Sequence, residues 1–446
     1  MLKQMTSGQG TDGVYAAILE QIMGQDGDKG KLGMGVLMWV SQSERPLSPE
    51  ELRYALSIEE DPTGLDPENM PTIKALLDYC LGLATIDEGG SRVRLIHLTL
   101  KEYLGRHPNL FGSSHAKMAD VCLTYLNSPT IQELPPNLWE HLGKIPFLGY
   151  ASCYWGAHAR KELTRSTRSL ALQLLDRYDH HVSAKIFQVH QRAWRYYDGQ
   201  HAPGRFSGLH AIACFGIVEI ATALIQLGCY DVNGKDSLGC TSLMWAARNN
   251  NRGVCEVLLV LGDADPNTAD SRGETSLFMA SAAGHEDIVK LLLECKDVIT
   301  DSPNNGGQTP LSVATRNGHE NIVKLLYERR DVNPHLSDNA GQTLPSLPTE
   351  DGHEGVVEPH PERPSVNPEI QEAYIQTTIS PVSITPGYPH PRKIIPLPFP
   401  EKTLQLQSRA PEDGSVDPED IGRGSPQQGC PPCTASWKWL AKCCHK

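Results

Sequence analysis

The sequence predicts a mostly α-helical chain in three parts: a helical N-terminal half with one small hairpin, a solenoid of stacked helix pairs, and a disordered proline-rich tail. Three observations predict this. A 34-residue period runs through residues 207–335, and apolar residues before it recur at helical spacing with one strand-like interruption. Of the 33 prolines, 18 lie in residues 345–446. That tail has few aromatics and no sustained apolar period, so it cannot bury enough surface to offset the entropy of ordering.

The solenoid is the clearest element. Thr241-Ser242-Leu243 with Ala246 and Ala247 recurs as Thr275-Ser276-Leu277 with Ala280, and as Thr309-Pro310-Leu311 with Ala314. A weaker copy begins at Ser207-Gly208-Leu209-His210 with Ala213, so the starts 207, 241, 275 and 309 are 34 residues apart. Two stretches read almost alike, GHEDIVKLLLE from Gly284 and GHENIVKLLYE from Gly318. Thr or Ser ahead of the Leu-x-x-Ala run caps a short first helix. Gly216, Asn250, Gly284 and Gly318 then suit a left-handed end to it. Ile322, Val323, Leu325 and Leu326 supply the apolar face of a second helix, and a polar turn such as Asp236 to Gly239 or Asp270 to Gly273 opens the next unit. One helix pair cannot bury both its faces, so neighbours must stack.

The period and the T-P-L-x-x-A pattern resemble ankyrin repeats, and four are assigned to residues 203–335. A degenerate fifth is expected at 343–368: Thr343, Gly352, His353, Val356 and Val357 keep the register, but Pro359, His360 and Pro361 replace the second-helix core. Proline inside a helix costs about 3 kcal/mol or more. The resemblance implies binding of a protein partner through turn tips and first-helix outward positions. The tips are Lys235, Asp236 and Ser237, then Asp270, Ser271 and Arg272, then Asn304 and Asn305. The first-helix positions are Trp245, Arg248 and Asn249, then Met279, then Arg316 and Asn317. Trp245 stands out because Trp and Arg are enriched at interface centres, although it can also pack sideways on a neighbouring helix. Met244, Phe278 and Ser312 stand where the family often has His, which implies loss of a local hydrogen bond.

The N-terminal half reads differently. Residues 1–30 hold one amphipathic helix, Val14 to Met23, followed by a Gly/Asp-rich turn. In residues 31–111, Leu37 to Val40 is apolar, and Ser48-Pro49-Glu50-Glu51 starts a helix with a cap, a first-position proline and acidic residues in its first turn. A further helix runs from Thr72 to Leu83, and then Ala84 to Asp87 and Val93 to Ile96 form strands about a Glu88–Ser91 turn. Helices followed by a hairpin describe a winged helix. Residues 112–202 form a helical connector.

LMWVSQSERPLSPEELRYAL, RLIHLTLKEYL and PFLGYAS-x-YWGAHA (Pro146 to Ala159) resemble the segment after the NACHT nucleotide-binding module in fungal STAND, or NLR-like, proteins. That segment is similar to the winged helix of GPI inositol-deacylase and often precedes ankyrin repeats. The resemblance covers roughly residues 13–335 and implies that the chain starts where the NTPase of the family ends. No G-x-x-x-x-G-K-[ST] occurs; Gly27-Asp28-Lys29-Gly30-Lys31 lacks its spacing and hydroxyl residue. Neither ATP nor GTP binding by this chain is expected, and no cofactor.

The formal charge of −13 disfavours nucleic acid and anionic membrane as partners. Residues 31–111 carry 8 Lys/Arg against 12 Asp/Glu, with Lys74 the one cation on the third helix and Arg92 and Arg94 on the wing, so DNA is not expected either. No apolar run reaches the roughly 18 residues of a membrane span, and MLKQMTSGQG has no signal core, so cytoplasmic or nuclear residence is expected. Cys80, Cys122, Cys153, Cys214, Cys229, Cys240, Cys255 and Cys295 read as buried free thiols. No catalytic constellation is present: His97 reads as a structural hydrogen-bonder, and His180-His181 as exposed.

The tail holds two further motifs. Pro396-Leu397-Pro398-Phe399-Pro400 suits a polyproline II ligand. Cys430 and Cys433, then Cys443, Cys444 and His445, offer zinc ligands; beside Trp437, Trp439 and Lys442 the adjacent cysteines also suit S-acylation, or stay unpaired thiols. The expectation is therefore a non-enzymatic protein-interaction module of an NLR-like signalling or immune-type receptor. The alternatives are an adaptor tethered by its Cys-rich tail, and a fragment of a nucleotide-switched receptor whose NTPase lies upstream.

Overall fold

In the amphipathic pattern of residues 14–23, Tyr15, Ile18, Leu19 and Ile22 share one side, and all four are buried in helix α1 (Thr11–Met23). The computed structural model describes residues 11–60, 70–135, 145–192, 206–339 and 341. Helix α2 (Asp28–Gln42) starts inside the stretch expected to be a Gly/Asp-rich turn. Close approach explains the difference: a Cβ on Gly33 would lie 2.7 Å from the Tyr79 carbonyl oxygen, so only glycine admits that contact.

Helix α3 (Pro49–Glu60) opens with a reciprocal cap, Glu51 N–H to Ser48 Oγ at 3.2 Å and Ser48 N–H to Glu51 Oε2 at 2.9 Å. Helix α4 (Ile73–Tyr79) is capped by Thr72. It ends four residues before the expected Leu83, because Leu81 and Gly82 turn left-handed and return the chain. Strands β1 (Ala84–Ile86) and β2 (Val93–Leu95) pair antiparallel, Thr85 opposite Arg94. Asp87 Oδ1 holds the turn through the Ser91 and Arg92 amides, and Val93 N–H reaches the Leu47 carbonyl. His97 caps α5 (Leu98–Arg106), its Nδ1 accepting from Thr99 N–H. The winged-helix layout is thus present.

The connector comprises α6 (Ser114–Leu126), the short α7 (Pro129–Gln132), α8 (Leu148–Lys161), α9 (Arg165–Leu175), a 3-10 turn (Tyr178–His180) and α10 (Val182–Arg192). Helix α8 packs on α6, α10 and the first repeat helix. Its Tyr150 ring meets Trp39 and Phe147 and lies under the Arg45 guanidinium, 5.2 Å away. Arg45 also bonds Glu51, with both side chains 14% exposed. The Tyr150 hydroxyl accepts from Glu44 N–H at 3.1 Å and meets His158 Nε2 at 2.8 Å. His158 Nδ1 stands 3.0 Å from His115 Nδ1. A single proton bridges those two nitrogens, a contact open to the neutral pair and closed to two imidazolium rings. On the other side of α8, Trp155 tilts against Phe215, whose ring fills the space above Gly156.

Four helix pairs follow: α11 (Gly208–Phe215) with α12 (Val218–Leu227), α13 (Ser242–Arg248) with α14 (Arg252–Val260), α15 (Ser276–Ala283) with α16 (Glu286–Leu293), and α17 (Pro310–Arg316) with α18 (Glu320–Tyr327). First helices pack in sequence on one another, and second helices likewise. Gly216, Asn250, Gly284 and Gly318 all have positive φ, at 77°, 57°, 78° and 71°, which ends each first helix as expected.

Of the eight cysteines expected to be buried, six are; Cys229 is exposed and Cys295 is half-buried. Burial pushes the thiols of Cys80, Cys153 and Cys255 up to about 12, so they stay protonated and unreactive. His181 also departs from expectation, being buried between Ser183 Oγ and the Leu126 carbonyl; its neighbour His180 is exposed. The residues of the degenerate fifth repeat and of the tail, with Pro396 to Pro400, Cys430, Cys433, Cys443, Cys444 and His445, lie outside the described residues.

Two predictions follow from α8. Burial, with smaller contributions from His115 and Lys161, pushes His158 down to about 3. Its unfolded value is about 6.5, so the unfolded chain takes up that proton first and stability falls as pH drops from 6.5 toward 3. Urea midpoints should show this site losing about 2 kcal/mol between pH 7 and pH 5, and His158→Gln should flatten that slope. A Cβ on Gly156 would sit 2.2 Å from the Phe215 ring, so Gly156→Ala should cost roughly 1–3 kcal/mol. With Phe215→Leu added, thermal unfolding should show a loss smaller than the sum of the two single variants.

Candidate protein-interaction surface

The polar turns between helix pairs are built by one residue per repeat. Asp236 Oδ1 accepts from the Leu238 and Cys240 amides at 2.8 and 2.9 Å. Asp270 Oδ1 does the same for Arg272 and Glu274, and Asn304 Oδ1 for Gly306 and Gln308. Each is a short side chain closing its own turn. The turns then join edge to edge: Ser271 N–H to the Leu238 carbonyl at 2.9 Å, Asn305 N–H to Arg272 at 2.7 Å and Asn339 N–H to Gly306 at 3.0 Å. Lys235 Nζ reaches the Ala269 carbonyl at 2.9 Å, and Asn305 Nδ2 the Ser271 carbonyl at 3.0 Å. At the same register further along, Gly341 N–H meets the Asp338 carbonyl at 2.9 Å.

This geometry divides the expected contact residues. Asp236, Asp270 and Asn304 were expected at exposed tips, but all three are buried, because their carbonyl or carboxylate oxygens face inward onto turn amides. For Trp245 both an outward contact and sideways packing were open, and the structure shows the packed arrangement. It is 2% exposed, its Nε1–H donating to Asp236 Oδ2 at 3.2 Å and its ring set edge-on to Phe206. Met279 is also buried, as part of the core cluster. What remains accessible at the turns is Lys235, Ser271 and Asn305, with Ser237 and Arg272 half-buried.

Along the first helices, Arg248, Asn249, Arg316 and Asn317 are half-buried. Arg248 lies 5.8 Å over the Trp245 ring, and Asn249 Nδ2 bonds the Trp245 carbonyl. Arg316 stands 3.5 Å from Asp338, and Asn317 Nδ2 bonds the Ala282 carbonyl. Their polar atoms serve the scaffold as well as its surface.

The loss of local hydrogen bonds expected at Met244 and Ser312 does not occur. Thr241 N–H points to Met244 Sδ at 3.4 Å, and Thr309 N–H to Ser312 Oγ at 2.8 Å, so both residues supply an acceptor at the helix start. A phenyl ring at Phe278 cannot. His210 holds the position in the first repeat, with Nε2 between the Gly234 and Cys240 carbonyls. Burial pushes this imidazole down, opposed by Asp236.

Several structural partners carried a sequence signal that went unread. Asn251, His285 and His319 stand 34 residues apart and open the second helices. Asn251 Nδ2 bonds the Ala213 and Cys214 carbonyls, His285 the Arg248 carbonyl and His319 the Ala282 carbonyl, each crossing to the preceding repeat. Gln188 of α10 had no such signal; its Nε2 reaches Ser237 Oγ at 3.3 Å, so the connector touches the first turn of the array.

A family model described as ankyrin repeats (three copies) matches residues 197–270 and 258–338. A second, described as the winged helix domain of GPI inositol-deacylase, matches residues 20–116. The chain therefore carries a winged helix of the GPI inositol-deacylase type followed by ankyrin repeats, whose class supports a protein-interaction module. No curated protein matches the chain. Among the described residues, no helix is long and apolar enough to cross a membrane.

Buried and exposed turn residues should separate cleanly in stability measurements. Asp236→Ala deletes the acceptor for two amides and an indole and should lower unfolding free energy by roughly 2–4 kcal/mol in urea. Ser271→Ala and Asn305→Ala should each shift it by less than about 1 kcal/mol.

Proposed function

We propose that the chain is a non-enzymatic binding module whose ankyrin array takes a protein partner along the turn edge, within an NLR-like receptor of the NACHT/STAND kind. The observation that carries the binding reading is the ladder of turns. Its backbone is satisfied internally, while Lys235, Ser271 and Asn305 stay accessible along one edge. The order of winged helix, helical connector and repeats supports the receptor reading, because it matches the order that follows the NTPase in that family. Helix α4 offers Lys74 against Asp78, a charge balance that suits an intramolecular role better than DNA.

A photo-reactive amino acid placed at Ser271 or Asn305 of the full chain, in the cells that make it, should give one discrete adduct. The same group at Lys324, exposed on a second helix, should give none. Asn305→Arg should reduce the Ser271 adduct roughly tenfold or more, as for a contact near an interface centre. Equal labelling from Lys324 would remove the turn edge as the binding face. The receptor reading has its own test: full-length transcripts should encode an in-frame G-x-x-x-x-G-K-[ST] upstream.

A further inference from the structure

The hydrogen bonds around helix α8 have a direction. The Tyr150 hydroxyl accepts from Glu44 N–H, and its own hydrogen has one acceptor among the described residues, His158 Nε2. Burial pushes His158 down to about 3, so its ring is neutral, and a neutral ring that accepts at Nε2 carries its hydrogen at Nδ1. That hydrogen points at His115 Nδ1, 3.0 Å away, so neutral His115 carries its own hydrogen at Nε2. The chain therefore runs one way, from the Glu44 amide through Tyr150 and His158 to His115. Tyr150 and His158 are fully buried and His115 is half-buried, so solvent meets the chain at His115. Its other end is the segment between α2 and α3. Three residues past Glu44, the Leu47 carbonyl receives Val93 N–H of the wing.

A proton entering at His115 disrupts this order. With Nδ1 protonated, two N–H groups face each other across 3.0 Å. If His115 turns away, the His158 Nδ1–H is left buried without an acceptor. If the chain reverses, His158 Nε2–H and the Glu44 amide both point at the Tyr150 oxygen, and the hydroxyl hydrogen loses its acceptor. Either way one buried donor goes unpaired, the costly case for a hydrogen bond. We propose that His115 is an acid switch built into the connector: protonation of its Nδ1 breaks the chain, loosens residues 43–48 and so unseats the wing. The charged groups around it come from α8 and from that segment. Lys161 pairs with Glu44 at 2.6 Å, and Glu162 accepts from Ala116 N–H. Beyond them, Arg45 over Tyr150 is paired with Glu51 of α3, Asp120 of α6 accepts from Thr167 of α9, and His190 of α10 stands edge-on to Tyr154. Burial, then Lys161, pushes His115 below its ordinary 6.5, opposed by Glu44 and Glu162, so the switch acts on the acid side of that value.

Nitrogen-15 labelling of the histidines in the full chain reports ring tautomers, with the two signals assigned by their loss in His115→Gln and His158→Gln. At pH 7.5, His158 should be the Nδ1–H form and His115 the Nε2–H form. Hydrogen exchange of residues 43–48 is then read by peptide mass spectrometry, as protection relative to the intrinsic rate at each pH. From pH 7.5 to pH 5 this protection should fall roughly tenfold or more beyond any change in peptides of α17 and α18. His115→Gln offers an amide oxygen that does not titrate, so this variant should keep its protection at pH 5. The opposite tautomers, an equal fall in α17 and α18, or an undiminished fall in His115→Gln would overturn the proposal.

Discussion

Helix α8 is the constraint on which the rest of the structure depends. One face holds Tyr150 beneath Arg45, in the linker between the second and third helices, and another presents bare backbone at Gly156 to the Phe215 ring of the first repeat. Each contact is short because each is specialised. A cation stacked on a ring and paired with Glu51 resists sliding, and a glycine under an aromatic ring leaves no slack. The winged helix and the repeat array are therefore two ends of one continuous core, not beads on a linker.

The array repeats a different device. A stack of short helices is stable only if every turn presents the next pair at the same angle. Here the angle is set by an inward carboxylate or amide at 34-residue intervals and by asparagine or histidine bridges onto the preceding repeat. Asn251 in one copy and histidines in two others reach carbonyls in the same way, so hydrogen-bonding capacity at the position matters more than residue identity. The same holds at the helix starts, where His210, Met244 and Ser312 each supply an acceptor.

Much of this was legible in the sequence. Helix pairs, caps, left-handed ends and the hairpin all follow from local chemistry: a hydroxyl before Leu-x-x-Ala, a glycine or asparagine after it, alternating apolar residues around a turn. The direction in which a polar residue faces was not legible. Asp236 and Lys235 are neighbours in one polar turn, yet one is buried and the other exposed, because a carboxylate can accept from the turn amides and an ammonium cannot. Trp245 reads as an interface anchor from its type, and becomes a core residue once Asp236 stands ready to accept its N–H. The helical start at Asp28 was hidden because Gly30 and Gly33 signal a turn in isolation, and signal close helix contact once α1 and α4 are in place.

The absence of slack at α8 has a mechanical meaning. Neighbouring first helices sit about 10 Å apart, so the fourth repeat lies roughly 30 Å from the first. A load on the far turns acts through a lever of that length, and its fulcrum is the Gly156–Phe215 contact. Small tilts of the array would reach the winged helix as torque on Tyr150 and Arg45.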